Sequence, residues 1–135
     1  MKNTVSTFLS MKQNGERLTE ITSYDYTTAK LVEKAGINAI LVGDSLGMTM
    51  MGYDTTLPVT MEDMIHHSAC VVRACENTMV IMDMPFMSYQ ASVSEAVRNA
   101  GRLMDTRSSW RAAQPLPSRF APLRILAFRC RHISA

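Results

Sequence analysis

Residues 41–60 read LVGDSLGMTMMGYDTTLPVT. The stretch enters as an apolar strand, turns polar at Asp44-Ser45, runs through a loop punctuated by Gly47 and Gly52, and closes on Thr60, where a helix start is written. A carboxylate and a hydroxyl at the exit of a strand, followed by a long loop, is how an α/β enzyme presents polar chemistry to a substrate. This stretch therefore predicts a parallel α/β fold with part of an active site at its rim.

Working outward, the chain alternates between strand and helix signals. Thr60-Met61-Glu62-Asp63 resembles a capping box, an acid three residues after a threonine, opening a helix to about residue 75. Residues 38–43 form the strand that leads into the opening stretch, apolar throughout as a strand buried on both faces should be. Upstream, residues 18–24 are rich in β-branched side chains and read as a first strand. Asp25 caps a helix that Gly36 stops. Residues 4–14 place Val5, Phe8, Leu9 and Met11 at helical spacing ahead of Gly15. Downstream, residues 78–84 read as a third strand ending at Asp83 and Pro85, and Ser92 or Ser94 starts a helix to about residue 104. Strand and helix alternating at this spacing imply parallel βα units with right-handed crossovers. The expected fold is the first three βα units of a (β/α)8 TIM barrel behind an N-terminal helix, or part of a doubly wound sheet. With 135 residues the chain has about half of the ~250 that a full barrel uses.

The composition breaks near Met104. All twelve methionines and every lysine precede residue 105, whereas residues 105–135 hold six arginines, a single acid and three of the five prolines. Apolar residues there follow neither a 3.6 nor a 2 period. The reading divides the chain into a partial barrel domain, 1–104, and an irregular or disordered tail, 105–135. Overall the chain is ordinary for a globular protein, with a formal charge of +2 and 47% hydrophobic residues. Those totals point to neither nucleic acid nor membrane, and no signal pattern opens the chain, so a cytoplasmic protein is expected. Cys70, Cys75 and Cys130 form no CxxC pair, which argues against a disulfide framework or a zinc site and for buried thiols.

Polar residues at the carboxyl ends of parallel strands face the ligand site. Asp44 ends the second strand and Asp83 the third, so two carboxylates stand at one rim and repel unless a cation or proton lies between them. Magnesium suits the pair, because one or two carboxylates commonly hold it and water and substrate oxygens complete its shell. The alternative is that each aspartate caps the loop that follows. His66 and His67 lie inside a helix and point to different faces, which favours a surface or subunit contact over ligation. Met48, Met50 and Met51 read as gap fillers or a lid over an apolar substrate. Tyr24, Asp25 and Tyr26 end the first strand, where a tyrosine either reaches a ligand or packs.

Four motifs carry a family resemblance: SYDY at 23–26, VGDSLGM at 42–48, TLPVT at 56–60 and DMPFMSY at 83–89. Long, ordered and correctly spaced, they resemble ketopantoate hydroxymethyltransferase, also called 3-methyl-2-oxobutanoate hydroxymethyltransferase, over roughly residues 1–104. The resemblance implies a cytoplasmic (β/α)8 barrel, assembled as a homo-decamer of two pentamer rings and acting in pantothenate and coenzyme A synthesis. It implies hydroxymethyl transfer from methylene-tetrahydrofolate to 3-methyl-2-oxobutanoate, giving 2-dehydropantoate, with Mg2+ as Lewis acid favouring the enolate of the oxo acid. It assigns Asp44 and Asp83 to the metal and Asp44, Ser45 and Asp83 to the oxo acid. It also requires a general-base glutamate and a Val-Lys-Leu-Glu-Gly-Gly segment at strand four, neither matched after Met104, so no catalytic base is expected in this chain. Glu20 departs from the family's apolar or small residue in strand one, where a charge would strain packing. The rival readings are a magnesium-enolate enzyme of the phosphoenolpyruvate mutase and isocitrate lyase type, and an inactive fragment that at most binds subunits.

The tail offers its own explanation. Residues 106–113, Thr-Arg-Ser-Ser-Trp-Arg-Ala-Ala, can be encoded by codons that regroup by one base to Ala-Val-Lys-Leu-Glu-Gly-Gly. His132-Ile133-Ser134-Ala135 with a TGA stop can regroup in the same frame to His-Leu-Gly-Leu, resembling a later family motif. A frameshift near Met104 is the expectation.

Overall fold

The computed structural model describes residues 2–106. In chain order its elements are α1 (Val5–Gln13), β1 (Glu20–Thr22), α2 (Tyr26–Lys34), β2 (Ala39–Val42), α3 (Leu46–Thr49), α4 (Met61–Ala74), β3 (Met79–Met82) and α5 (Val93–Asp105). The strands form one parallel sheet in the order β1-β2-β3. Its register pairs Ile21 with Ile40 and Ile40 with Val80. The α/β reading with three parallel strands and an N-terminal helix is therefore seen directly.

Helix starts follow the capping signals. Thr4 accepts a hydrogen bond from the Thr7 N–H at 3.2 Å, and Asp25 accepts one from the Thr28 N–H at 2.8 Å. Ser92, rather than Ser94, caps α5, accepting from the Glu95 N–H at 3.1 Å. The capping box is complete. The Asp63 N–H donates to Thr60 Oγ1 at 3.2 Å, while the Asp63 carboxylate accepts from the Thr60 N–H at 2.9 Å. Gly15 and Gly36 sit at positive φ after α1 and α2, the left-handed stop that glycine adopts without a Cβ clash.

The strands are shorter than their composition indicates. β1 spans three residues of an apolar and β-branched run over 18–24, because its partner β2 offers only four residues and Asn38 terminates the ladder. The Asn38 side-chain oxygen accepts from both the Thr19 N–H (3.0 Å) and the Thr19 hydroxyl (2.8 Å). Burial is uneven too. Ala39, Ile40 and Val42 of β2 are buried, but all three residues of β1 are exposed. Glu20 thus stands in the open among the described residues and strains no packing there.

Between the sheet and its helices lies one core. Ile40, Val42, Leu46, Met64 and Val71 are fully buried at its centre, with Ala29 and Val32 of α2 and Leu103 of α5 packed around them. At the lower end of the sheet, the Glu33 carboxylate on α2 reaches the turn into β3. It accepts from the Asn77 N–H at 2.8 Å and the Thr78 N–H at 2.9 Å. The break at 104 falls at the end of α5; the irregular segment expected over 105–135 lies, from residue 107 onward, outside the described residues, as does Cys130. Cys70 and Cys75 are half-buried. No helix among the described residues is long and apolar enough to cross a membrane.

Candidate active-site rim

The carboxyl ends of the three strands lie side by side and set the geometry of the rim. β2 ends at Val42, and the chain then turns by successive short bonds. Leu46 N–H donates to Gly43 O at 3.1 Å and Gly47 N–H to Asp44 O at 3.0 Å. This single turn, α3, was not expected from a stretch of glycine and methionine without period. It begins at Ser45, whose side chain makes no cap bond. The Ser45 hydroxyl instead lies 2.9 Å from the Tyr24 hydroxyl, which reaches over from the exit of β1. Tyr24 packs its ring on the core, one of the two readings offered for it, and its hydroxyl arrives at the rim.

Gly43 makes the convergence possible. A methyl group at its Cα would stand 3.1 Å from Ser45 Oγ and 3.3 Å from Asp83 Oδ2. The hydroxyl from β2 and the carboxylate from β3 therefore occupy the space that a side chain here would take. The Asp83 N–H donates to Val42 O at 3.0 Å, which holds the end of β3 level with the end of β2. Asp44 is half-buried next to them. Its side chain makes no hydrogen bond or ion pair among the described residues, so it does not cap the loop that follows. Gly43 itself is a site residue that sequence reading passed over; only the spacing Gly-Asp-Ser after an apolar strand could have marked it.

The surrounding loop is pinned from below. Tyr53 N–H donates to Gly47 O at 2.8 Å, and Val59 is buried against Gly47, so closely that a methyl group at that glycine would collide with it. Met51 packs on the core, the gap-filling role expected of it, whereas Met48 and Met50 are each 49% exposed. His66 is exposed and His67 half-buried, their rings edge to face at 5.2 Å. His67 Nδ1 lies 2.8 Å from the Tyr24 carbonyl oxygen. Among the described residues no three or more His, Cys, Asp or Glu side chains gather where they could hold a metal. Any cation at the rim would rest on the two aspartates, with solvent or a bound ligand completing its shell.

Beside the rim, a groove of about 430 Å³ opens between the 57–62 segment, the 85–88 loop and α5. Its walls include none of Asp44, Ser45 and Asp83, and an Arg102–Glu62 ion pair spans it. The chemistry of the rim outweighs the volume of this groove in locating the site.

Parallel βα units that bring two aspartates and a serine to adjacent strand exits place this chain among the α/β proteins whose polar residues gather at a strand-end rim. Comparison with known proteins makes the class specific. Residues 2–110 match the family model described as ketopantoate hydroxymethyltransferase. Over 104 residues, 77% of the chain, it is 65% identical to a 3-methyl-2-oxobutanoate hydroxymethyltransferase of Clostridium novyi (strain NT). It is 61% identical over the same share to proteins of that name from Clostridium botulinum (strain 657 / Type Ba4) and Enterococcus faecalis (strain ATCC 700802 / V583). The chain belongs to the ketopantoate hydroxymethyltransferase family. It spans 38% of the length of each of these relatives.

Proposed function

We propose that this chain carries the metal- and oxo-acid-binding rim of an enzyme that transfers a hydroxymethyl group from methylene-tetrahydrofolate to 3-methyl-2-oxobutanoate, giving 2-dehydropantoate. The observation that carries the reading is the convergence of Ser45 Oγ and Asp83 Oδ2 over Gly43. Asp44 and Asp83 fit Mg2+ by donor chemistry, two carboxylates on neighbouring strand ends, one of them drawn in over a glycine. When bound there, the ion supplies Lewis acidity that favours loss of a proton next to the ketone. The chain's own residues bind and orient. Tyr24 holds the Ser45 hydroxyl, and with Tyr24 as donor the Ser45 proton is directed at an oxygen of the oxo acid. The role proposed for the described residues of this rim is therefore binding and orientation. The relatives' names favour this chemistry over the phosphoenolpyruvate mutase and isocitrate lyase type.

In the intact enzyme the three units seen here open a (β/α)8 barrel of a cytoplasmic homo-decamer in pantothenate synthesis. Residues 1–104 are its partial domain, and 105–135 are read out of frame. The coding sequence across residues 104–113 tests the last point: codons that do not regroup by one base to Val-Lys-Leu-Glu-Gly-Gly overturn it. The binding reading is tested by calorimetric titration of the chain with 3-methyl-2-oxobutanoate. Binding is expected to require Mg2+ and to fall at least about tenfold, roughly 1.4 kcal/mol, in Asp83→Asn. Affinity indifferent to both the metal and the substitution would refute it.

A further inference from the structure

The Tyr24–Ser45 contact starts from a corner of the chain at Tyr24 itself. β1 ends at Thr22, the last ladder bond beyond it runs from Ser23 N–H to Leu41 O at 3.3 Å, and Asp25 already caps α2. Tyr24 is the single residue between the last ladder bond, at Ser23, and the helix cap, Asp25. Its carbonyl is outside the ladder and is met from a third element, by His67 Nδ1 of α4 at 2.8 Å. A carbonyl oxygen only accepts, so Nδ1 must carry the proton. His67 is half-buried, and His66 beside it is exposed and does not replace it. Without the imidazole, a half-buried carbonyl loses its partner and the corner loses its only tie to α4 among the described hydrogen bonds.

We propose that His67 is a positioning residue for the oxo-acid site: its Nδ1–H holds the Tyr24 carbonyl and thereby sets the Tyr24 hydroxyl on Ser45. The inference rests on the reading of the rim given above, and His67 touches no substrate in it. Asparagine at this position places its amide nitrogen near the position of Nδ1 and can donate to the same carbonyl, whereas alanine cannot. That difference separates positioning from packing.

The test uses the whole chain. Two-bond 1H–15N correlation spectra at neutral pH are expected to show His67 with its proton on Nδ1; a proton on Nε2 alone overturns the proposal. Mg2+-dependent titration with 3-methyl-2-oxobutanoate is expected to weaken about tenfold in His67→Ala and to stay within about threefold of the parent in His67→Asn. Equal losses in the two variants, or none in His67→Ala, overturn it. Should His67→Ala not fold, the tautomer and the affinity of His67→Asn decide. Should the parent bind no oxo acid, the reading of the rim fails on its own. The tautomer then decides, together with the Tyr24 ring signal, which must shift in His67→Ala and return in His67→Asn.

Discussion

The Tyr24 hydroxyl and the Ser45 hydroxyl meet at 2.9 Å, joining the exits of two adjacent strands across 21 residues of chain. One side chain is thereby withdrawn from its local role. A serine at the first position of a helical turn ordinarily caps that turn; Ser45 does not, and its oxygen is held toward the rim instead.

Tyr24→Phe isolates that bond, since the ring and its packing stay. Mg2+-dependent affinity for 3-methyl-2-oxobutanoate is expected to fall about fivefold, the loss of roughly 1 kcal/mol that one neutral hydrogen bond contributes. The same bond supports the fold, so the melting temperature should fall by a few degrees, on the order of 5 °C. Calorimetry and thermal denaturation on the same samples check both halves of the statement.

Gly43→Ala tests the space above the rim. The added methyl would press on Ser45 Oγ at 3.1 Å and on Asp83 Oδ2 at 3.3 Å, so one of them must give way. Metal-dependent binding is expected to fall at least about tenfold, with a stability loss of about 1 kcal/mol as for other overpacked sites. A variant that binds as well as the parent would show that the convergence has no functional meaning.

Glu33 gives the fold a pH dependence of predictable sign. Partial burial pushes its carboxyl up, but the hydrogen bonds from Thr78 and Asn77 outweigh that and bring it from 4.5 down to about 2. A carboxyl depressed by folding adds stability that is fully present above its unfolded value and is lost as pH falls toward its folded one. The contribution therefore fades between about pH 5 and pH 2. Denaturant midpoints measured across that window should fall less steeply with acidification in Glu33→Gln than in the parent.

Ser68 on α4 is fully buried, and its hydroxyl has no hydrogen-bond partner among the described residues. A buried polar group in that condition carries a desolvation cost with no return. Ser68→Ala is expected to raise stability by about 1 kcal/mol, read as a higher denaturant midpoint at unchanged slope.

Local signals in the sequence were legible where one residue decides the outcome. Asp25, Thr60 with Asp63, Gly15 and Gly36 each act within a turn of their own position, and each does in the structure what its side chain, or lack of one, dictates. Strand ends were less legible: β1 starts only at Glu20 because the Asn38 side chain takes the Thr19 N–H, a fact carried by a residue 19 positions away. The single turn Leu46–Thr49 had no period to read, its glycine being required by the nearby Val59 rather than by the helix. For the rim, strand-end position was enough to single out Asp44, Ser45 and Asp83. The contacts that arrange them, Tyr24 to Ser45 and His67 to Tyr24, span 21 and 43 residues and leave no trace in composition or spacing.

The hold of Glu33 on the start of β3 has an engineering consequence. Together with the Asp83 N–H on Val42 O, it clamps the strand at both ends, so the register of Met79–Met82 is settled by residues that precede it. Among the described residues β3 pairs only with β2, and its other edge is a template whose alignment is already decided. A strand arriving there on a separate polypeptide meets a partner already fixed in place. That makes the outer edge of β3 the place to divide a protein of this family into two pieces meant to reassemble.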